Sequence, residues 1–174
     1  MGVAGQDLLR AGDPALAARD DLAHARTILQ RYEPWNDDQV RVRADMLAFL
    51  DAHPDALHRT CLAGHLTGAA LVLHADGERA LLTHHAKLGS WLQLGGHCDG
   101  DANLPAVALR EAVEESGIPD LAIDPTPIDL DVHPIPARPG EPEHLHLDAR
   151  FLVHAPEDAR EVLSHESVQL AWFG

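Results

Sequence analysis

Glu111, Glu114 and Glu115 are spaced i, i+3 and i+4. On a helix that spacing brings three carboxylates onto one face. Their mutual repulsion is unfavourable unless cations sit among them. Oxygen clusters of this kind suit Mg2+ or Mn2+, which also coordinate substrate phosphates. Arg110 adjoins the cluster and is placed to orient a carboxylate by a bidentate contact. The competing reading is a solvated acidic face, since Glu-Glu pairs are common on surface helices.

A second group of side chains offers nitrogen. His144 and His146 are two apart in an apolar run, so on a strand they project from one face, and Asp148 continues that face. His97 follows the double glycine Gly95-Gly96, and His65 opens another apolar run. Neutral imidazoles suit Zn2+ or another transition metal far better than Mg2+. The set His65, His97, His144 and His146 is therefore a second candidate metal site. The alternative is compositional. The chain has 13 histidines and Lys87 is its only lysine, so polar positions often fall to His.

These side chains must be positioned by a folded frame. Pro105 opens, and Gly117 stops, a helix from about Leu104 to Ser116 that carries the carboxylates. Val107 and Val113 lie away from the acidic face and would anchor it. Strands are expected over His65 to His74, Ala80 to His84, Trp91 to Leu94, Ile128 to Ile135, Leu145 to His154 and Val168 to Phe173. Asp76-Gly77 turns the first hairpin, and Gly95-Gly96 ends the third strand. Pro134 to Pro142 is a loop. Ahead of these, Asp13-Pro14 reads as the start of a helix running to about Tyr32. Asn36 or Asp37 would cap a second helix ending near His53. Residues 1–58 are thus expected to form a helical pair packed on a core of residues 59–174. The whole reads as one domain of α/β (α+β) class, a sandwich with a mixed sheet.

Composition narrows the functions. Basic residues number 13 and acidic residues 28, giving a net charge of −15. Such a chain repels a nucleic-acid polymer, but accepts a small anion where metal ions neutralise it. No run approaches the roughly 20 apolar residues of a membrane span, and the opening residues lack the pattern of an export signal. Cys61 and Cys98 then read as reduced thiols, and the protein as cytoplasmic.

The stretch from Gly96 to Ile118 resembles the signature of the Nudix hydrolase family: Gly, five residues, Glu, seven residues, Arg-Glu, an aliphatic, any residue, Glu-Glu, any residue, Gly, an aliphatic. Gly96, Arg110, Glu111, Glu114, Glu115, Gly117 and Ile118 fall on that pattern without a gap. Ala112 occupies an aliphatic position. Ala102 stands where the family has its first glutamate, with Asp101 and Asp99 as nearby carboxylates that could substitute. The resemblance covers roughly residues 60 to 174. It implies an α/β/α sandwich and a small-molecule diphosphate substrate of nucleoside-diphosphate type. It also implies divalent ions on Glu111, Glu114, Glu115 and the Gly96 carbonyl, and water attack at phosphorus. The general base varies in the family; Glu111 and Glu166 are the two candidates here. Many relatives add a helix after the last strand. Here the N-terminal helices or the second subunit of a homodimer would cover that surface.

A further resemblance links His65, Gly96-His97 and His144-Leu-His146 to the metal-site segments of isopentenyl diphosphate isomerase, a Nudix relative. That enzyme's catalytic cysteine aligns with Gly95, so isomerase chemistry on a prenyl diphosphate is disfavoured. The alternative from another class is a nucleotide-binding or regulatory module with little catalysis, a reading that Ala102 favours.

Overall fold

The computed structural model describes residues 7–165 and 167–174. Glu166 lies outside the described residues. In chain order the elements are β1 (Leu9–Arg10), a 3-10 turn (Pro14–Leu16), α1 (Leu22–Arg31), α2 (Asp37–Ala52), β2 (Gly64–Leu73), β3 (Ala80–His85), β4 (Trp91–Leu92), β5 (Leu94–His97), α3 (Leu104–Ser116), β6 (Ala122–Ile135), β7 (His144–His154) and β8 (Ser167–Phe173). The eight strands make one mixed sheet in the order β1-β6-β7-β2-β3-β4, with β5 added to β2 and β8 added to β3. Three α-helices complete the mixed α+β fold expected from the sequence. No helix among the described residues is long and apolar enough to cross a membrane.

β2 is the hub. It runs parallel to β7 along its whole length, placing His65 beside His146 and Thr67 beside Asp148. Its middle also pairs with β5, from Thr67↔His97 to Ala70↔Leu94, and its end pairs with β3. Leu66, Leu94, Val107, Phe151 and Val153 are buried in one apolar cluster, which Ala25, Leu29, Met46 and Leu50 of the N-terminal helices join.

Three expectations about elements are corrected. The first helix begins at Leu22, capped by Asp21, and Pro14 starts only a short 3-10 turn. The residues between are held by the loop before α3. Asn103 donates from Nδ2 to the carbonyls of Ala15 (3.0 Å) and Ala17 (2.9 Å), and the Ala102 amide donates to Arg19 O (2.6 Å). Those tertiary bonds satisfy the backbone in place of helix. The double glycine does not end a strand but lies within β5, because the chain leaves β3 after β4 and pairs anew with β2. β6 starts at Ala122, ahead of Pro125 and Pro127. Its register shifts around Pro127, where a missing N–H interrupts a regular ladder. The second helix and α3 start and stop where capping predicts, with Asn36 accepting from the Gln39 amide and Gly117 taking φ 66° at the end of α3.

Candidate functional site

Glu111, Glu114 and Glu115 line one cleft of about 1460 Å3, together with Gly95, Gly96, Asp101 and Arg110. α3 presents them there because its other side is buried through Leu104, Val107, Ala108 and Ala112. Val107, expected as an anchor, is fully buried; Val113, expected likewise, is partly buried and packs against the core, with Ala112 buried beside it. Glu111 lies directly over Gly96. A side chain at that position would overlap the Glu111 carboxylate, so glycine is what lets Glu111 enter the cleft. Glu115 accepts from the Gly95 amide at 3.4 Å. The glycine pair of β5 and the carboxylates of α3 thus form one wall.

The loop before α3 answers the question raised by Ala102. That residue is fully buried and apolar. Its neighbour Asp101 reaches the other way: one carboxylate oxygen lies 3.6 Å from Arg110, while the other accepts from the Asn103 amide (2.9 Å) and the Arg19 amide (3.1 Å). Arg110 also stands 3.7 Å from Glu111. Asp99 does not join this group. Arg59 grips it through two bonds of 2.8 and 2.7 Å, and that guanidinium holds the Asp99 pKa down. Of the two substitutes weighed for the missing glutamate, only Asp101 meets Arg110.

The same cleft carries the histidines. His144 and His146 line the cleft, and His97 lies beside them on β5. His65 sits behind, with ring centroids 4.9 Å from His144, 4.9 Å from His146 and 5.1 Å from His97. All four histidines singled out by spacing are therefore brought together. Burial pushes the His97 pKa down to about 4, helped by Arg59 and by His65. Burial, with His97 and His65 as neighbours, pushes His146 down to about 3. His65 is lowered by burial as well. At neutral pH these rings are uncharged and hold lone pairs. The thiols are less available, because burial raises both Cys61 and Cys98.

Of the charged floor next to the histidines, spacing singled out Asp148 but not Arg150, Asp129 or Asp131. Arg150 bonds Asp129 (2.8 Å), Asp131 (3.1 Å) and Asp148 (3.1 Å), and Asp148 accepts from Thr67 at 3.0 Å. Burial raises the Asp148 pKa, against the pull of Arg150. Period-two alternation along β7 was the available signal: His144, His146, Asp148 and Arg150 share a face. His133, paired in register with His146, extends the row onto β6. Phe151 is fully buried core. Trp91 lines the cleft and meets Phe173 edge-on at 4.9 Å.

The family model described as NUDIX domain matches residues 64–174 of this chain. Among solved structures, a hydrolase described as NUDIX family from Clostridium perfringens superposes with a TM-score of 0.50 at 21% identity, covering 63% of this chain and 80% of its own. An Ap4A hydrolase of C. elegans in a binary complex superposes with a TM-score of 0.50 at 20% identity, covering 62% of this chain and 77% of its own. These likenesses are in fold. A search of curated proteins gives no match.

Proposed function

The chain belongs to the NUDIX family and is a Nudix-type hydrolase, and from that premise we propose that it cleaves a diphosphate linkage in a small nucleoside-diphosphate-type molecule. The observation that carries the proposal is the wall formed by Glu111, Glu114 and Glu115, with Glu111 seated against Gly96. Its donors are oxygens, carboxylates with the Gly96 carbonyl, and such a set fits Mg2+ or Mn2+. When bound, such ions polarise phosphoryl oxygens and make a bound water more acidic.

The chain's own residues supply the rest. Glu111, Glu114 and Glu115 would hold the ions that neutralise the substrate's diphosphate. Arg110, between Asp101 and Glu111, fixes the direction of the Glu111 carboxylate. Glu111 is one candidate to take the proton from the attacking water, and Glu166 is the other. The cleft has room for a nucleotide-sized ligand. Trp91 offers a ring on which a base stacks. The net charge of −15 sets the ligand as a small molecule and not a nucleic-acid polymer.

One observation favours a second reading. Ala102 is a buried apolar residue where the signature has a carboxylate, which suits a module that binds a nucleotide without cleaving it. Phosphate release from a panel of nucleotides and dinucleotides, with Mg2+ or Mn2+ against chelator, separates the two. We expect metal-dependent release that Glu114→Gln and Glu115→Gln each reduce by about 100-fold or more, with folding intact by circular dichroism. Full activity in both variants would sink the site assignment. Binding without release from any substrate would favour the module.

A further inference from the structure

Phosphate hydrolysis on the carboxylates leaves the histidines of the same cleft unused. One ring nitrogen from each of His65, His144 and His146 can be chosen so that all three lie within 4.8 Å of one another. His65 is only 3% exposed, and among the described residues neither of its nitrogens makes a hydrogen bond of ordinary geometry, although a Cys61 backbone group lies near enough to hold its pKa up against burial. An unpaired polar group in the interior costs about 1–3 kcal/mol, so the fold holds this imidazole against a penalty. Packing alone would be better served by Leu.

His144 shows how the lone pairs are arranged. Its Nδ1 lies 2.9 Å from the Pro142 carbonyl. A carbonyl only accepts, so Nδ1 carries the proton and Nε2 presents a lone pair. A backbone carbonyl behind an imidazole is the usual partner that orients a metal-binding histidine. His144 Nε2 stands 3.4 Å from His146 Nε2. That gap is long for a hydrogen bond between rings. It matches the separation of about 3.3–3.4 Å between two nitrogens bound at about 2.05 Å to one tetrahedral ion. The frame that holds the rings is rigid, since His65 pairs with His146 across the parallel ladder and β7 projects His144 and His146 to one side.

We propose that His65, His144 and His146 bind one transition-metal ion of the Zn2+ class, at a site separate from the carboxylates and with a coordination position open to the cleft. Three imidazole nitrogens select such an ion over Mg2+. His97 flanks the open position, its ring 5.1 Å from those of His65 and His146. The Glu141 carboxylate stands 3.7 Å from His144 Nε2. His133 stands further off, its ring 5.7 Å from that of His146, with its Nδ1 bonded to Asp131 at 2.7 Å. The two donor sets meet at one dipeptide: Gly96 touches Glu111, and His97 touches the histidines. A ligand in the cleft thus spans a hard oxygen site and a softer nitrogen site.

The test uses the full chain prepared without a polyhistidine tag and stripped by chelator. Titration with Co2+, read by visible absorption and by metal count, should give about one ion per chain with the spectrum of a four- or five-coordinate site, displaced by Zn2+. His144→Ala and His146→Ala should each weaken binding by about 100-fold or more, beyond the 10–100-fold loss typical of an outer-shell change. Glu114→Gln and Glu115→Gln should leave it in place. Circular dichroism shows whether each variant is folded, and the wild-type titration stands without any variant. Absence of stoichiometric Co2+ or Zn2+ binding in the wild type overturns the proposal. So does binding that survives both histidine variants, or that is lost with the glutamines. The hydrolytic reading is scored separately: Mg2+-dependent phosphate release without Co2+ binding removes only this inference, and Co2+ binding without release from any substrate removes only the other.

Discussion

Two buried polar side chains, Gln39 and His65, sit in contrasting settings. Gln39 of α2 lies at the seam between the helical pair and β6. Its Nε2 donates to the Leu130 carbonyl at 3.0 Å, and its Oε1 accepts from the Leu130 amide at 3.0 Å and from the Tyr32 hydroxyl at 2.7 Å. It behaves as a short piece of strand against the outer edge of β6 and ties α2 to the sheet. His65 is buried as deeply, yet among the described residues neither of its nitrogens makes a hydrogen bond of ordinary geometry. Both groups lost water on folding. Only one was repaid within the chain. The contrast separates a polar group that serves the fold from one held ready for a ligand.

The largest effect should come from the repaid group. Gln39→Leu leaves the Leu130 amide and carbonyl and the Tyr32 hydroxyl facing an apolar side chain. With penalties of about 1–3 kcal/mol for a buried unsatisfied group, and water reaching part of the seam, we expect a loss of about 2–4 kcal/mol. Urea unfolding should show a lower midpoint with an unchanged slope. Wild-type stability in this variant would break the comparison at its first term, since the three bonds would then be worth nothing.

The reverse sign is expected at the second term. In metal-free protein, His65→Leu removes an unpaired polar group and keeps an apolar side chain of similar size. Stability should be unchanged or higher by about 1 kcal/mol. With Zn2+ present the order should invert, because an ion that binds only the folded wild type stabilises it alone. The same urea curves, run with chelator and with Zn2+, read both signs. A metal-free His65→Leu protein as damaged as Gln39→Leu would make His65 a structural residue.

The two regions were not equally legible in the sequence. The acidic wall was, because i, i+3, i+4 spacing, Pro105 and Gly117 all act within one helix and need no tertiary information. The histidine row was legible in part. Period two on β7 gave His144 and His146, but the return of β2 beside β7 in parallel, which brings in His65, is set by the whole sheet. Gln39 was invisible, since a glutamine in the first turn of an exposed-looking helix gives no hint of a strand edge 91 residues away. The extended path of residues 17–21 was hidden for the same reason: Asn103 and Ala102 bond it from the far side of the fold. Asp101 was weighed beside Asp99, and only the loop geometry, with Arg59 holding Asp99, chose between them.

The smallest effect sharpens the comparison by removing burial from it. Asp76, in the turn between β2 and β3, has at least as many partners as Gln39: its oxygens accept from the Glu78 amide (2.9 Å), the Arg79 amide (3.3 Å) and Arg79 Nε (2.8 Å), with Arg79 Nη2 (2.8 Å) and His74 Nδ1 (3.0 Å) also close. Those bonds, the Glu78 amide first, lower its pKa from 3.8 to about 2. Water competes for every one of them, so the bonds should weigh little. Asp76→Asn should lower Tm by less than Gln39→Leu does at pH 7. The sign with pH follows from which state holds the proton. Between about 2 and 3.8 the unfolded chain binds a proton at this site and the folded chain does not, so stability rises with pH across that window. The advantage of wild type over Asp76→Asn is then complete above the window and closes as pH falls through it. A gap that stayed constant down to pH 2 would assign the effect to turn geometry instead of charge. A gap as large as that of Gln39→Leu would show that hydrogen-bond count, not burial, sets the weight of a satisfied polar group in this protein.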